Sequence, residues 1–403
     1  MSENSYDIII LGSGMVGTAL ACALGNSGLR IAVLDRKKPN LDWPIKGYDL
    51  RVSALTNASQ KILTHIGAWD AMVAKRVTPF TDMKVWDATG SGEISFSSED
   101  IGTACLGHIV ENQVTLSALF QQMESFKNID YIEPVVTKNV NFSPEQVMLA
   151  LEDGRVFQSR LIVGADGANS WLRNTTGIQI NTRDYEQKGV VTTVKTEHHH
   201  NYCARQRFLP TGPLAFLPLP DGHCSIVWST NNEEADRLVK LSDEEFIEEL
   251  QLALGESELG KIESVSLRGA FPLKKRHATQ YCKPRMALVG DAAHTIHPLA
   301  GQGVNLGFLD IATLAEEILS ALKKQQDIGS LQVLRKYERR RKGDNALMLR
   351  AMDGFHLLFA NDNPRLSTIR NLGLGLTNKL MPIKSKIIEH AMGVDRETPL
   401  VMQ

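Results

Sequence analysis

The sequence predicts an α/β fold in which a parallel sheet built on a βαβ unit is combined with a second, mixed or antiparallel sheet and with C-terminal helices. Three observations predict this fold. Two apolar runs around a glycine-rich turn occupy the first 35 residues, short β-type runs separated by turn residues fill positions 189–271, and a strand followed by an amphipathic helix returns after position 285. Because 403 residues exceed what one hydrophobic core usually supports, we expect more than one domain.

The βαβ unit begins with the apolar run 7–11, which stops at Gly12. We expect the helix that follows to end near Gly28, and the second apolar run, 30–34, to form a strand that closes at Asp35. The unit has roughly the ~30 residues of a Rossmann-type βαβ repeat. It therefore predicts half of a dinucleotide-binding site.

The turn inside this unit is a G-x-G-x-x-G fingerprint. Glycines lack Cβ atoms, so such a turn lets the backbone bend tightly and approach a pyrophosphate at the N-terminus of a helix. An aspartate 18 residues after the last glycine has the acceptor oxygens that a ribose diol requires. NAD(H) and FAD both fit this fingerprint. The residues expected to contact the dinucleotide here are Gly12, Gly14, Met15, Val16, Gly17, Asp35 and Arg36.

Helices and a hairpin are predicted next along the first domain. Apolar positions recur at helical spacing from Ser53 onward and again over 116–123. Alternating apolar positions at 147–151 lead through a turn at Asp153 into a buried strand at 161–163.

The sheet-rich region is expected to contain one helix, which starts with a capping box at Ser242 and ends at Gly255. A strand at 286–289 and an amphipathic helix over 311–322 then return the chain to the first domain. The remainder is helical in character and starts with the charge run 335–342, which we expect to form a solvated helix face. The predicted domains are 1–75, 107–180 and 280–329 for the cofactor-binding domain, 76–106 and 181–279 for the substrate domain, and 330–403 for the C-terminal helical region.

The composition excludes several classes of function. A formal net charge of -2 gives no electrostatic reason for binding nucleic acid. The five cysteines are scattered and form no C-x-x-C pair, which argues against a disulfide framework and against a zinc site. We therefore expect no bound metal and a cytoplasmic location.

A second motif, Gly290-Asp291, decides between NAD(H) and FAD. It follows a strand in the C-terminal third of the chain and introduces the glycine-rich loop 298–305, which precedes a helix. This arrangement resembles the glutathione-reductase-like FAD-binding fold, in which such an aspartate binds the ribityl chain and the loop lies along the flavin. Backbone N–H groups at a helix N-terminus favour negative charge on the flavin edge. The resemblance implies cofactor contacts at Gly290, Asp291, Pro298, Gly301, Gly303, Val304 and Asn305.

Further motifs narrow the resemblance. Asp166-Gly167, spaced between the other two motifs, and Arg51 resemble elements of the class A flavoprotein aromatic hydroxylases. The segments RVSAL, GHIVEN, GADGANSWLRN and GDAAHTIHPLAGQGVNLGF are similar to the ubiquinone-biosynthesis hydroxylases, most of all to the bacterial 2-octaprenylphenol hydroxylases, which oxidise ring carbon 5. The segment GAFPL at 269–273 is more like a sister enzyme of that pathway. The resemblance adds Arg51, Asp166 and Gln113 to the expected cofactor contacts.

The resemblance implies an FAD-dependent monooxygenase that uses NAD(P)H and O2, forms a hydroperoxide at flavin carbon C4a, and hydroxylates the ring of a polyprenylphenol. Catalytic candidates lie in the flavin loop at His297, Pro298 and Gln302, with backbone groups as the main contributors. His294 is expected to brace that loop by bonding its backbone. Gln302 is equally suited to contact the flavin or the substrate and to brace the loop.

Three alternatives stay open from the sequence. The chain is also compatible with a sister hydroxylase that acts at another ring position, with an FAD-dependent dehydrogenase or reductase, and with an assembly subunit that docks through the helices 350–392. Expected partners are the polyprenylated phenol, other ubiquinone-biosynthesis proteins and a second copy of the chain. The charge run 335–342 is the candidate contact with the surface of the inner membrane.

Overall fold

The computed structural model describes residues 4–41, 47–90, 92–295 and 303–359. The strands, in chain order, are β1 (Ser5–Leu11), β2 (Ile31–Leu34), β3 (Val52–Thr56), β4 (Thr78–Phe80), β5 (Asp82–Asp87), β6 (Glu93–Ser97), β7 (Gly107–Glu111), β8 (Ile129–Ile132), β9 (Thr137–Phe142), β10 (Val147–Leu151), β11 (Val156–Gly164), β12 (Ile180–Thr196), β13 (Cys203–Leu209), β14 (Gly212–Pro218), β15 (His223–Asn231), β16 (Ile262–Val265), β17 (Gly269–Ala278), β18 (Cys282–Lys283), β19 (Met286–Leu288) and β20 (His294–Thr295). The helices are α1 (Met15–Ala23), α2 (Asn57–His65), α3 (Trp69–Lys75), α4 (Asn112–Met123), α5 (Trp171–Thr175), α6 (Asn232–Lys240), α7 (Asp243–Leu254), α8 (Gly303–Lys323) and α9 (Leu331–Phe359).

The first sheet carries the βαβ unit. Strands β19, β11, β1, β2 and β8 lie side by side in parallel, and β18 is added antiparallel at one edge. The centre of β1, from Ile8 to Ile10, is fully buried, as expected for a parallel strand covered on both faces. The predicted hairpin is present, because β10 pairs antiparallel with both β9 and β11. Strand β11 continues from the hairpin into the parallel sheet and ends at Gly164, beside Leu11.

The second sheet has the order β20-β17-β12-β15-β14-β13-β5-β6, with β16 paired to β12. Its neighbours are antiparallel except β13 and β5, which are parallel. One face is covered by α6 and α7, because Leu238 of α6 and Phe246 of α7 share a core with Ile226. The opposite face presents Val191 and Val227 toward the first sheet, and this face forms one wall of the site described below.

A small third sheet corrects one sequence expectation. Residues from Ser53 do not start a helix, because β3 pairs antiparallel with β7, which also pairs with β4. Helix α2 begins only at Asn57, where Thr56 caps it by accepting a hydrogen bond from the backbone N–H of Ser59. The helical pattern was correct from Ala58 onward, but residues 53–56 belong to the buried strand β3, whose last residue is the cap.

Two helices also differ from the sequence expectation. The sheet-rich region holds α6 as well as α7, because Asn231 caps α6 and only Ala235 and Leu238 of that helix are buried, which is a weak periodic signal. Helix α7 follows the Ser242 capping box and ends at Gly255, as predicted. Helix α1 ends at Ala23 rather than near Gly28, since the backbone turns there with Gly25 N–H bonded to the carbonyl of Cys22.

The charge run 335–342 lies in α9 and is only partly a solvated face. Arg341 is buried and its Nε donates to Asp310 of α8 at 2.9 Å. Arg340 forms ion pairs with Glu316 and Glu317 of α8, at 2.7 and 3.1 Å. The run therefore fastens α9 to α8, which spacing along α9 alone did not reveal. Within the described part of the chain, no helix is long and apolar enough to cross a membrane.

Candidate flavin and substrate site

Two adjoining cavities lie at the carboxyl ends of the parallel strands. The smaller, of about 380 Å³, is lined by residues that follow β1, β2 and β11. The larger, of about 500 Å³, extends between the first and the second sheet. Gly14, Ala165 and Gly167 line both, so the two cavities meet at the fingerprint turn. An extended ligand such as a dinucleotide fits this position, where open α/β sheets bind their ligands.

Each of the three fingerprint positions requires glycine for a different structural reason. Gly12 has φ +101°, and a Cβ there would lie 2.4 Å from the carbonyl oxygen of Ala165. A Cβ on Gly17 would lie 2.0 Å from the carbonyl oxygen of Gly12, so this glycine lets α1 approach the turn. A Cβ on Gly14 would meet no protein atom within 4 Å and would project into the space shared by both cavities. That space is where the fingerprint predicts a pyrophosphate.

Met15 and Val16 begin α1 directly after this turn and line the larger cavity. The side chain of Val16 also fills the gap between Gly290 and Gly307, where a Cβ would lie within 3.1 and 2.6 Å of it. The fingerprint helix and the C-terminal motif are therefore in direct contact, although they are far apart in sequence.

Asp35 and Arg36 lie in the wall of the smaller cavity. The Asp35 carboxylate accepts hydrogen bonds from the backbone N–H and the hydroxyl of Ser13, both at 2.7 Å, and from the N–H of Arg36 at 2.7 Å. These bonds hold the carboxylate against the fingerprint turn. A ribose diol bound in this cavity would find acceptor oxygens in this carboxylate.

Asp166 contributes an unsatisfied acceptor to the same cavity. One carboxylate oxygen accepts a hydrogen bond from the backbone N–H of Leu172 at 3.1 Å. The other, Oδ1, is buried and has no partner among the described residues. Buried acceptors in native proteins are normally paired, so this oxygen fits a ligand hydroxyl or a bound water in the cavity.

Gly290 and Asp291 form the turn at the floor of the larger cavity. Gly290 has φ +58°, a conformation that favours glycine. The Asp291 carboxyl is accessible from the cavity but enclosed by protein elsewhere. This enclosure raises its pKa, while the charges of His294 and Arg51 act in the opposite direction. A hydrogen-bond donor on a ligand, such as a ribityl hydroxyl, would stabilise the ionised form.

A buried polar cluster beneath this turn was not foreseen from the sequence. Asp310 of α8 is 0% exposed and accepts hydrogen bonds from the backbone N–H of Gly290 at 3.1 Å, Arg341 Nε at 2.9 Å and Asn345 Nδ2 at 3.1 Å. Its pKa is about 2: burial raises it, but His294 and Arg341 lower it more strongly. Since an ionised carboxylate only accepts, His294 Nε2 must donate to it. The sequence signal that could have revealed this cluster is Asp310 itself, a charged residue on the apolar face of helix α8.

His294 has a ring partner among the described residues. This buried histidine donates to the Asp310 carboxylate and so ties the strand after the Gly290-Asp291 turn to α8. The loop whose backbone it is expected to bond lies outside the described residues. A carboxylate buried without water needs several donors, and His294 is one of them. No metal-binding cluster of His, Cys, Asp or Glu occurs among residues 4–41, 47–90, 92–295 and 303–359.

Arg51 and Gln113 differ in their relation to the larger cavity. Arg51 lines it, and its guanidinium lies 5.6 Å from the centre of the Phe271 ring. Gln113 is not part of the wall; its backbone N–H donates to Asp49 at 3.3 Å, and the preceding residue, Asn112, lines the cavity instead. A flavin contact is thus well placed for Arg51, and for the start of α4 through Asn112.

The start of α8 provides Gly303 and Val304 to the cavity wall. The side chain of Asn305, by contrast, is already engaged with protein: its Oδ1 accepts from Ser59 at 2.6 Å, and its Nδ2 donates to the carbonyl of Ala54 at 2.7 Å. Asn305 therefore fastens α8 to the third sheet and α2, so only its backbone remains for a cofactor. The predicted loop residues His297, Pro298, Gly301 and Gln302 lie outside the described residues.

The wall opposite the cofactor motifs is mostly apolar. Strands β12, β14 and β15 contribute Gly189, Val191, Leu217 and Val227, and β17 contributes Phe271, Pro272 and Leu273. A wall of this kind suits a flat, apolar ligand and keeps water away from it. The larger cavity thus has the predicted flavin-binding residues on one side and an apolar surface for a second ligand on the other.

Comparisons with known proteins agree with this geometry. A family model described as FAD binding domain matches residues 5–351. The mitochondrial ubiquinone biosynthesis monooxygenase COQ6 of Xenopus tropicalis is 36% identical over 436 residues, which cover 96% of this chain and 93% of that protein. The 3-demethoxyubiquinol 3-hydroxylase of Escherichia coli K12 is 35% identical over 397 residues, which cover 98% of this chain and 100% of that protein.

Solved structures show the same fold. The p-nitrophenol 4-monooxygenase PnpA of Pseudomonas putida DLL-E4 superposes with a TM-score of 0.78, covering 98% of this chain and 100% of that chain, at 17% sequence identity. At such low identity the likeness concerns the fold alone. It confirms the predicted FAD-binding fold with its second, sheet-rich domain.

Proposed function

Because this chain belongs to the FAD-dependent hydroxylases of ubiquinone biosynthesis, a family with the FAD binding domain, we propose that it inserts one oxygen atom of O2 into the ring of a polyprenylphenol. Its class of enzyme, an FAD-dependent monooxygenase, follows from that membership, as does the use of NAD(P)H and O2. The phenol itself, its polyprenyl chain and the ring position are the proposed part.

The observation that carries the proposal is the larger cavity between the two sheets. One side is lined by the fingerprint and by Gly290 and Asp291, and the other by the apolar wall of the second sheet. Bound FAD would accept electrons from NAD(P)H and use them to activate O2. The protein then has to hold the cofactor, orient an aromatic ring next to it and exclude water, which an apolar wall achieves without a nucleophile or a general base.

The chain's own residues divide this work. Asp35, Asp166 and the fingerprint turn hold the nucleotide half of FAD, and the Gly290-Asp291 turn with the start of α8 holds the flavin half. Arg51 places a positive charge beside the cavity. The loop residues His297, Pro298 and Gln302 are retained in the proposal as catalytic candidates, together with Gly301 as a cofactor contact.

Ring carbon 5 is the position we propose for hydroxylation. The support is the resemblance of GANSWLRN and LGHIVEN to the bacterial 2-octaprenylphenol hydroxylases. A relative whose name specifies carbon 3 is 35% identical, so overall similarity does not select the position. Quinone intermediates should be profiled in a cell that lacks this chain. Accumulation of a species unoxidised at carbon 5 supports the proposal, and accumulation of one unoxidised only at another carbon contradicts it.

The activity can be tested with the flavin-loaded protein. We expect 2-prenylphenol to stimulate both NAD(P)H oxidation and O2 uptake, and 18O2 to label one oxygen of the product. If no electron donor supports phenol-stimulated O2 uptake, the monooxygenase proposal is wrong. Anaerobic turnover with an artificial electron acceptor would then indicate a dehydrogenase.

The proposed substrate also leads to a proposal about location. A polyprenyl chain partitions into the bilayer, so the enzyme has to meet its substrate at the cytoplasmic surface of the inner membrane, together with other proteins of the pathway. Arg335 and Arg339 are exposed on α9 and supply positive charge for anionic lipid. Sedimentation with anionic but not neutral vesicles, weakened by Arg335→Glu with Arg339→Glu, is the expected result; equal sedimentation of both proteins contradicts it.

A further inference from the structure

The apolar wall of the larger cavity contains one polar side chain among the residues that β12, β14 and β15 contribute to it. Ser225 of β15 lies in this wall with Gly189, Val191, Leu217 and Val227. The other polar side chains in the described wall are Lys274 of β17 and five from the cofactor side, namely Arg51, Ser53, Asn112, Asp291 and Thr295.

The register of the sheet fixes the direction of Ser225. It lies directly opposite Leu217 on β14 and Thr193 on β12. Since successive side chains alternate between faces, Ser225 shares its face with Val227, while Ile226 between them belongs to the core under α6 and α7. Ser225 therefore points toward the cavity.

Ser225 is 1% exposed and lies in the cavity wall, and no hydrogen bond joins its hydroxyl to another described residue. Its hydroxyl is therefore available to a ligand in the cavity. Thr295 also has an unpartnered hydroxyl in the wall, but it adjoins the loop 296–302 on the cofactor side. Within the cavity wall, the neighbours of Ser225 on the same face are Leu217 and Val227, whose side chains offer no hydrogen-bond partner; Thr193, opposite it on β12, is not part of that wall.

We infer that Ser225 hydrogen-bonds to the phenolic hydroxyl of the substrate and thereby sets the rotation of the ring in the cavity. The inference rests on the proposed function. A prenylphenol has a single polar group, and an apolar wall alone would bind its ring in several rotations. Among the residues that β12, β14 and β15 contribute to that wall, Ser225 has the one hydroxyl, so a substrate hydroxyl bonded to it holds the ring in one rotation.

The test is a ligand-binding cycle on the flavin-loaded protein, followed by flavin absorbance. Wild type and Ser225→Ala are each titrated with 2-prenylphenol and with prenylbenzene, which lacks the hydroxyl. We expect wild type to prefer the phenol by a factor of roughly 3 to 10, the range of one neutral hydrogen bond, and the variant to lose this preference. Ser225→Cys, which keeps the size but is a weak donor, is expected to behave like Ser225→Ala.

Ser229→Ala is the matched control, because Ser229 is a buried serine on the same strand and the same face but outside the cavity wall. It should keep the wild-type preference. In turnover, Ser225→Ala should release more H2O2 per NAD(P)H consumed and yield more than one ring isomer. If both Ser225 variants keep the preference and a single product, the inference is overturned. Failure of the proposed function appears separately, as wild type without phenol-stimulated O2 uptake.

Discussion

Replacing Asp310 by asparagine tests the polar cluster beneath the Gly290-Asp291 turn. The carboxylate is fully buried and accepts from Gly290, His294, Arg341 and Asn345. Asparagine keeps the shape but removes the charge, so the buried Arg341 guanidinium loses its buried counter-ion and keeps only the exposed Asp344, at 3.2 Å. Breaking a buried ion pair in this way typically costs about 3–5 kcal/mol. That is a large part of the roughly 5–15 kcal/mol that stabilises a typical domain.

The assay is denaturant unfolding of the flavin-loaded protein, followed by circular dichroism and by flavin fluorescence. We expect Asp310→Asn to unfold at lower denaturant and to release FAD earlier. Both carboxylate oxygens accept hydrogen bonds, and an amide has only one acceptor oxygen, so its NH2 group has to face either the Gly290 N–H or the Arg341 guanidinium. Glu317→Gln on the same helix is the control: its bond to the half-exposed Arg340 is worth about 0–1 kcal/mol. If Asp310→Asn changes the free energy of unfolding by no more than this control does, the cluster does not stabilise the turn.

The pH dependence gives the same test a second readout. The pKa of Asp310 falls from an ordinary 3.8 to about 2 in the folded protein. A depressed pKa contributes stability that is present above the unfolded value and lost as the pH falls through the folded one. Wild type should therefore lose stability between about pH 4 and pH 2 more steeply than Asp310→Asn, and parallel curves would contradict the ionised assignment.

Three further predictions concern the cofactor site. Gly14→Ala should weaken FAD binding without changing the unfolding of the cofactor-free protein. Gly17→Ala should impair both FAD binding and folding stability, since its Cβ would lie 2.0 Å from the oxygen of Gly12. Calorimetric titration measures the binding and thermal unfolding measures the stability; equal effects of the two variants would contradict the assigned roles. Arg51→Met should raise the FAD dissociation constant roughly tenfold, about one charge-assisted hydrogen bond, and Arg51→Lys should restore part of the affinity; unchanged binding in Arg51→Met would exclude Arg51 as a contact. Asp291 is exposed to the larger cavity, so Asp291→Asn should weaken FAD binding and leave the unfolding of the cofactor-free protein at pH 7 nearly unchanged, and a destabilised variant would show that the carboxylate has a structural partner.

The sequence predicted best those features that a local backbone requirement imposes. A glycine at Gly12 or Gly290 is needed because φ is positive there, and a capping box at Ser242 satisfies the first N–H groups of α7. Such requirements act over a few residues and leave a readable pattern. The βαβ unit, the hairpin before β11 and the FAD-binding fold could therefore be predicted.

Features set by partners distant in sequence could not be predicted in this way. Nothing in the pattern around Asp310 indicates Arg341 as its counter-ion, 31 residues later and on another helix. The amide of Asn305 looked like a cofactor ligand because it stands in the loop motif, yet Ser59 and Ala54 engage it. Ser225 gave no signal at all, since a serine in a strand becomes notable only when the sheet register shows which face it occupies.

Strand β20 is two residues long, but it pairs with the second sheet. His294 and Thr295 lie opposite His277 and Arg276 of β17. The next described residue, Gly303, starts α8, which packs on α1 beside the first sheet. The described residues on either side of positions 296–302 therefore contact different sheets. Substitutions in the second sheet that do not contact FAD can therefore shift β20 and the residues next to it. We expect substrate preference and cofactor environment to vary together among proteins with this fold.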